Sequence, residues 1–191
     1  ESGDTPGWFI FTHQMVRQAI YTSLSTTERA SLHARAASGL EQLLSESNFD
    51  NAAEISSHWQ RAGISGDMGH AATWALRAGK QALAVFSYES AFRSFKQALE
   101  AGNQLNDPDV QSSAMAGLGR SLGPLGRDAE AVDYLTQAFD RYVESNDIQK
   151  AVKVAQVMFT GSSGQIAMAP IYERALALEG LSASDAAKIK A

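Results

Sequence analysis

A ladder of small residues at nearly constant spacing constrains this chain more than any other feature. Gly79 is followed twelve positions later by Ala91, then by Phe95 and Ala98. Gly119 is followed at the same distance by Ala131, then by Leu135 and Ala138. A blurred third copy sets Ala155 and Gln156 ahead of Met168, Tyr172 and Ala175. A small residue in one helix, facing a small–bulky–small row in the next, lets two antiparallel helices approach closely. Recurrence at about 37–40 residues marks stacked helical hairpins rather than one closed core. The expected fold is therefore all-α, a right-handed solenoid of helical hairpins, and such arrays mostly serve as scaffolds and sensors.

Capping signals divide the chain into helices. Thr12 can cap a first helix ending near Ser23. Ser25 with Glu28 forms a capping box for a long second one, striped by Leu32, Ala36, Leu40 and Leu43 or Leu44. Asn51 with Glu54 opens a third, carrying Ile55, Trp59 and Ala62 up to Gly63. Asp67, Ser87, the pair Asp107-Pro108, Asp128 and Asp147 open five more, the last reaching about Thr160. A loop over 161–164 precedes a ninth helix that ends at Gly180, with Pro170 marking its first turn. Ser182 with Asp185 reads as the start of another, and Trp8–Phe11 as a short strand. Because the chain begins with Glu1 and stops just inside a helix, it reads as a piece of a longer protein.

Composition removes several functional classes. A formal charge of −5 argues against nucleic-acid binding, which needs concentrated Lys and Arg to neutralise phosphates. No apolar run reaches the roughly 18–20 residues of a membrane span, and no signal peptide opens the chain. The absence of cysteine excludes a disulfide framework and thiolate chemistry, and fits a cytoplasmic setting.

Catalytic and metal constellations are likewise missing. His33, His58 and His70 fall on separate helices without a His-x-x-x-His or His-Glu pairing, so they read as structural residues. The run Gly117–Gly123 has Leu122 where a dinucleotide loop needs its third glycine, and Gly79-Lys80 is followed by Gln81 rather than Ser or Thr. There is no G-x-S-x-G elbow, and the acidic residues are scattered over helix faces. The expectation is a chain that is not an enzyme, with no catalytic residue, no metal site and no cofactor held within it.

One pattern points to binding. Counted from the small residue of each repeat, the first-helix positions that face the concave groove include Lys80, Arg120, Lys150 and Lys153. A basic column inside an acidic protein reverses the local sign of charge. It would favour an acidic peptide or a terminal carboxylate; a small effector is the other partner expected. The aromatic residues Trp59, Trp74, Phe86, Tyr88, Phe92 and Phe95 cluster nearby at helical spacing, which reads as packing between hairpins.

Residues 72–180 resemble tetratricopeptide repeats. Gly79 and Gly119 match that family's small residue in the first helix, Ala91/Ala98 and Ala131/Ala138 its two alanines in the second, and Gly126 its inter-helix glycine. Ala75 and Met115 stand where the family has tryptophan, and the period exceeds the usual ~34 residues. A second resemblance is carried by FTHQMVRQAIYTSLSTTERASLHARAASGLEQLL followed by NAAEISSHWQRAG, within residues 9–102. It is similar to the junction between the winged helix of large bacterial signal-transducing ATPases, the LuxR-type transcription regulators among them, and their tetratricopeptide region.

That second resemblance implies that residues 1–25 are the remnant of a winged-helix segment and residues 26–191 a helical-repeat domain. It further implies that the parent protein binds ATP, with His13 and Arg17 as possible nucleotide contacts, and that the repeats relay partner binding to an ATPase and to transcription. A free-standing tetratricopeptide adaptor docking one protein partner, and the regulatory region of a nucleotide cyclase, stay open as alternatives.

Overall fold

A computed structural model of the chain describes residues 13–46, 51–63, 66–159, 162–179 and 181–190. Among these residues the fold is all-α, ten helices packed in neighbouring pairs with no strand. They are α1 (Gln14–Ser23), α2 (Thr26–Glu46), α3 (Ala52–Ala62), α4 (Met68–Ala84), α5 (Tyr88–Leu105), α6 (Pro108–Leu122), α7 (Asp128–Glu144), α8 (Ile148–Ala155), α9 (Ser162–Leu176) and α10 (Ala183–Lys190). The expected strand at Trp8–Phe11 lies outside the described residues, as does the Thr12 cap. His13 occupies the cap position of α1 without a side-chain hydrogen bond.

The repeat is more regular than the residue ladder suggests. Helices α4 to α8 begin at residues 68, 88, 108, 128 and 148, a half-repeat of 20 residues. The four junctions between them have one shape. Phe86, Asn106, Gly126 and Asn146 all adopt left-handed φ values of 51–73°. After each, the next residue's N–H reaches back five positions: Ser87 to Ala82, Asp107 to Gly102, Arg127 to Leu122 and Asp147 to Tyr142, at 2.8–3.1 Å. This is the Schellman closure, which satisfies orphan carbonyls at a helix end. The residue that completes it then caps the next helix. Asp107 Oδ1 accepts from Asp109 and Val110, and Asp147 accepts from Lys150, while Ser87 and Arg127 make no such side-chain cap. Stop and start signals are thus compressed into two residues, which forces consecutive helices to fold back on each other.

Small residues set how closely those helices approach. Ala91, Ala98, Ala131 and Ala138 are fully buried. The Phe95 ring lies against the backbone of both Gly79 and Gly117, so that a Cβ on either would overlap it. Leu135 lies against Gly119 in the same way one repeat later. In the third copy the buried row is Met168, Ile171 and Ala175. The expected Tyr172 is half-buried and sends its hydroxyl to the Val157 carbonyl, 3.3 Å away.

One helix face and the bounds of α8 and α9 differ from expectation. The face of α2 turned to α3 is His33, Ala37 and Leu40, with Leu32 46% and Leu43 58% exposed, because Ile55, Trp59 and Ala62 of α3 pack against Ala37. Helix α8 ends at Ala155, well before Thr160. Helix α9 begins at Ser162 and runs through Pro170, which lies on its exposed side. Gly164 belongs to that helix, not to a loop, and leaves room for the Phe159 ring. The apolar body is continuous from α4 to α10, with a separate cluster of Ala37, Ile55, Trp59, Ala62 and Ala71 joining α2, α3 and α4.

Candidate functional site

The four basic residues singled out above line one cleft of about 280 Å³. Lys80 and Arg120 are each the thirteenth residue of their helices, α4 and α6, so the 40-residue repeat places them at equivalent positions. Lys150 and Lys153 are one turn apart on α8 and share a face. The floor between them is apolar: Leu83, Phe95, Ala116, Gly117, Leu135 and Val157. Close packing of Phe95 on Gly79 and Gly117 keeps that floor smooth, since no side chain projects from either glycine.

The four cations are not equivalent. Lys150 Nζ lies 2.7 Å from Asp147 and 5.4 Å from the centre of the Tyr142 ring. Its hydrogen bond to Asp147 raises the Lys150 pKa, and the same contact lowers that of Asp147. Lys80, Arg120 and Lys153 make no ion pair among the described residues and are exposed at the rim. Tyr142 is buried, which raises its pKa, and its hydroxyl donates to Ser113 Oγ at 3.3 Å. The Tyr142 and Ser113 side chains thus supply polar atoms beside the cations, with both residues lining the same cleft. Chemically the site can accept an anionic group at the rim while an apolar side chain rests on the floor. It offers no nucleophile beside a base.

The other residues singled out in the sequence lie elsewhere. His13 and Arg17 are exposed at the start of α1, remote in the helix order from the cleft. The three remaining histidines are less isolated than their spacing suggests. His33 and His58, on α2 and α3, bring their Nδ1 atoms to 3.0 Å, and Tyr21 of α1 lies 3.0 Å from His33 Nε2. His70 Nδ1 lies 3.0 Å from Glu41, which also accepts from Trp59 Nε1 at 2.6 Å. No cluster of three metal-ligating residues forms among the described residues. These contacts span 12 to 29 positions across helix pairs, so no local motif announces them; only the facing order of α2, α3 and α4 could have.

The aromatic cluster divides in two. Trp59 and Phe95 are buried, as packing requires, but Phe86 is 75% exposed at the α4–α5 turn, with its ring edge-on to Tyr88. Tyr142, Ser113 and Val157 were missed as cleft residues because they lie on both sides of the repeat boundary. None of the described helices is long and apolar enough to cross a membrane.

No protein-family model matches the chain. Among curated proteins it is similar to Protein FLUORESCENT IN BLUE LIGHT, chloroplastic, from Arabidopsis thaliana, with 34% identity over 98 aligned residues. The match covers 41% of this chain and 31% of that protein, so the chain spans less than a third of its relative's length. The relative is a chloroplastic plant protein rather than a bacterial regulator.

Proposed function

We propose that this chain is a non-catalytic docking module that binds an acidic protein segment in the cleft between α4, α6 and α8. The observation that carries this reading is the convergence of Lys80, Arg120, Lys150 and Lys153, from three separate helices, on one apolar-floored cleft in a protein of net charge −5. Cations held on rigid helices by repeat geometry need little reorganisation to meet an anion, and charge-assisted hydrogen bonds are the stronger class. The apolar floor adds area for a bulky side chain next to the acid. Relay of this binding to an ATPase module and a transcriptional output is the finer reading. It draws on the resemblance of residues 9–102, with His13 and Arg17 as its nucleotide contacts.

The test is fluorescence anisotropy with a labelled peptide of alternating Glu and Leu, against a Gln–Leu control. The acidic peptide binds, the control does not, and Lys80→Glu/Arg120→Glu weakens binding at least tenfold at low salt with circular dichroism unchanged. Equal affinity of the wild-type chain and the charge-reversed variant for the acidic peptide removes the proposal.

A further inference from the structure

We propose that the Tyr21–His33–His58 hydrogen-bond chain is a proton-operated latch, which holds α1 against the repeat array and releases it when both histidines are protonated. The attachment of α1 is slight to begin with, since it buries none of its side chains. Among the described residues, Tyr21 is what ties it down. Its hydroxyl lies 3.0 Å from His33 Nε2, its ring meets the His33 ring edge-on at 5.9 Å, and the Arg29 guanidinium sits 5.3 Å over its face. His33 is buried and in turn meets His58, with Nδ1 atoms 3.0 Å apart and ring centres 5.0 Å apart.

Two imidazole nitrogens at hydrogen-bond distance share a single proton, because one must donate and the other accept. The neutral chain satisfies this. So does the singly protonated one, in which His33 donates from Nδ1 to His58 and from Nε2 to the Tyr21 oxygen. A second proton removes the acceptor: two N–H groups then face each other and two like charges meet. The lost acceptor and the like charges drive the two rings apart, and displacement of the His33 ring carries away the Nε2 that positions Tyr21.

The surroundings offer no relief to added charge. From α1 the pair faces Tyr21; from α2, Arg29 over the Tyr21 ring; from α3, Arg61, one turn beyond His58. Among the described residues, the carboxylates of these helices are engaged elsewhere: Glu28 by Ser25, Glu41 by Trp59 and His70, and Glu54 by Asn51. Burial, His58 and Arg61 all lower the His33 pKa, in that order of size, which agrees with the geometry. Release therefore belongs to the mildly acidic range, below the ordinary histidine value of ~6.5.

The chain contains no cysteine, so Thr22→Cys on α1 and Gln60→Cys on α3 give a selectively spin-labelled protein for pulsed dipolar spectroscopy. At pH 7.5 the distance distribution is narrow; at pH 5.0 the population of longer distances rises at least tenfold, with helicity at 222 nm retained. His58→Gln, whose amide oxygen accepts from His33 but cannot charge, stays narrow at pH 5.0. Tyr21→Phe is broadened at both pH values with no step between them. A wild-type distribution that ignores pH, the same opening in His58→Gln, a pH step that survives in Tyr21→Phe, or opening accompanied by global loss of helicity would each overturn the latch.

Discussion

One chemical change should have opposite consequences at two glycines, because the helical array uses them differently. Gly39 lies inside α2 with nothing within 4 Å of an added Cβ. Gly39→Ala therefore collects the ordinary helix-propensity gain of about 0.8–1 kcal/mol. Gly79 lies inside α4, where an added Cβ would stand 2.7 Å from two atoms of the Phe95 ring. Ordinary carbon contacts are ~3.5–4.0 Å, so the ring would have to withdraw by nearly 1 Å. Its freedom to move is small, since Gly117 also lies against the ring and Phe95 is 1% exposed. Overpacking of this kind costs about 1–3 kcal/mol, which outweighs the propensity gain and leaves Gly79→Ala destabilised by up to about 2 kcal/mol. At about 2–4 °C per kcal/mol for a chain of this size, the two variants should melt several degrees apart, on either side of wild type, by circular dichroism. Phe95→Leu should offset part of the Gly79→Ala loss in a double-mutant cycle. If Gly79→Ala melts as high as Gly39→Ala, the glycine–phenylalanine contact is not what spaces α4 from α5 and α6.

Three further outcomes follow from particular residues. Phe86 is the one bulky residue among four equivalent left-handed turn positions, so Phe86→Asn should stabilise the chain by about 1 kcal/mol, read as a higher urea midpoint; a lower midpoint would mean the exposed ring carries packing that its exposure conceals. Ser56 Oγ is buried with no partner among the described residues, so Ser56→Ala should be neutral or stabilising by up to about 1 kcal/mol; a loss above about 1 kcal/mol would contradict it. His70 and His33 should oppose each other in pH. The hydrogen bond to Glu41 raises the His70 pKa, so its stabilisation is complete below ~6.5 and is lost as pH rises through the raised value. Burial lowers the His33 pKa, so its contribution is present above ~6.5 and is lost as pH falls. His70→Asn should therefore remove only the loss on the alkaline side of the melting profile, and an unchanged profile would refute the assignment.

Much of the array was legible because helix geometry is local. Asp67, Asp107-Pro108 and Asp147 each cap the helix they announce, and the Gly79 and Gly119 ladders pack as their spacing requires. The basic column was legible for the same reason: equal offsets from equivalent caps put Lys80 and Arg120 in register. What failed depended on the partner rather than the segment. The periodicity of α2 admits two neighbouring faces, and only the docking of Trp59 and Ile55 selects His33 and Ala37 over Leu32 and Leu43. Pro170 signalled a helix start, yet α9 continues through it because its side lies toward solvent, where a lost hydrogen bond is replaced by water. The Asp147 partner of Lys150 was a three-residue spacing that could have been read, and it singles out Lys80, Arg120 and Lys153 as the cations free to meet a ligand.

The most direct measurement on the docking cleft is an amide chemical-shift titration of the chain with the acidic Glu–Leu peptide. The account predicts saturable shifts at Leu83, Ala116, Gly117, Arg120 and Val157, abolished by charge reversal at Lys80 and Arg120. Shifts confined to the separate surface around Gln137, Asp140 and Glu144, or no shifts at all, would contradict it.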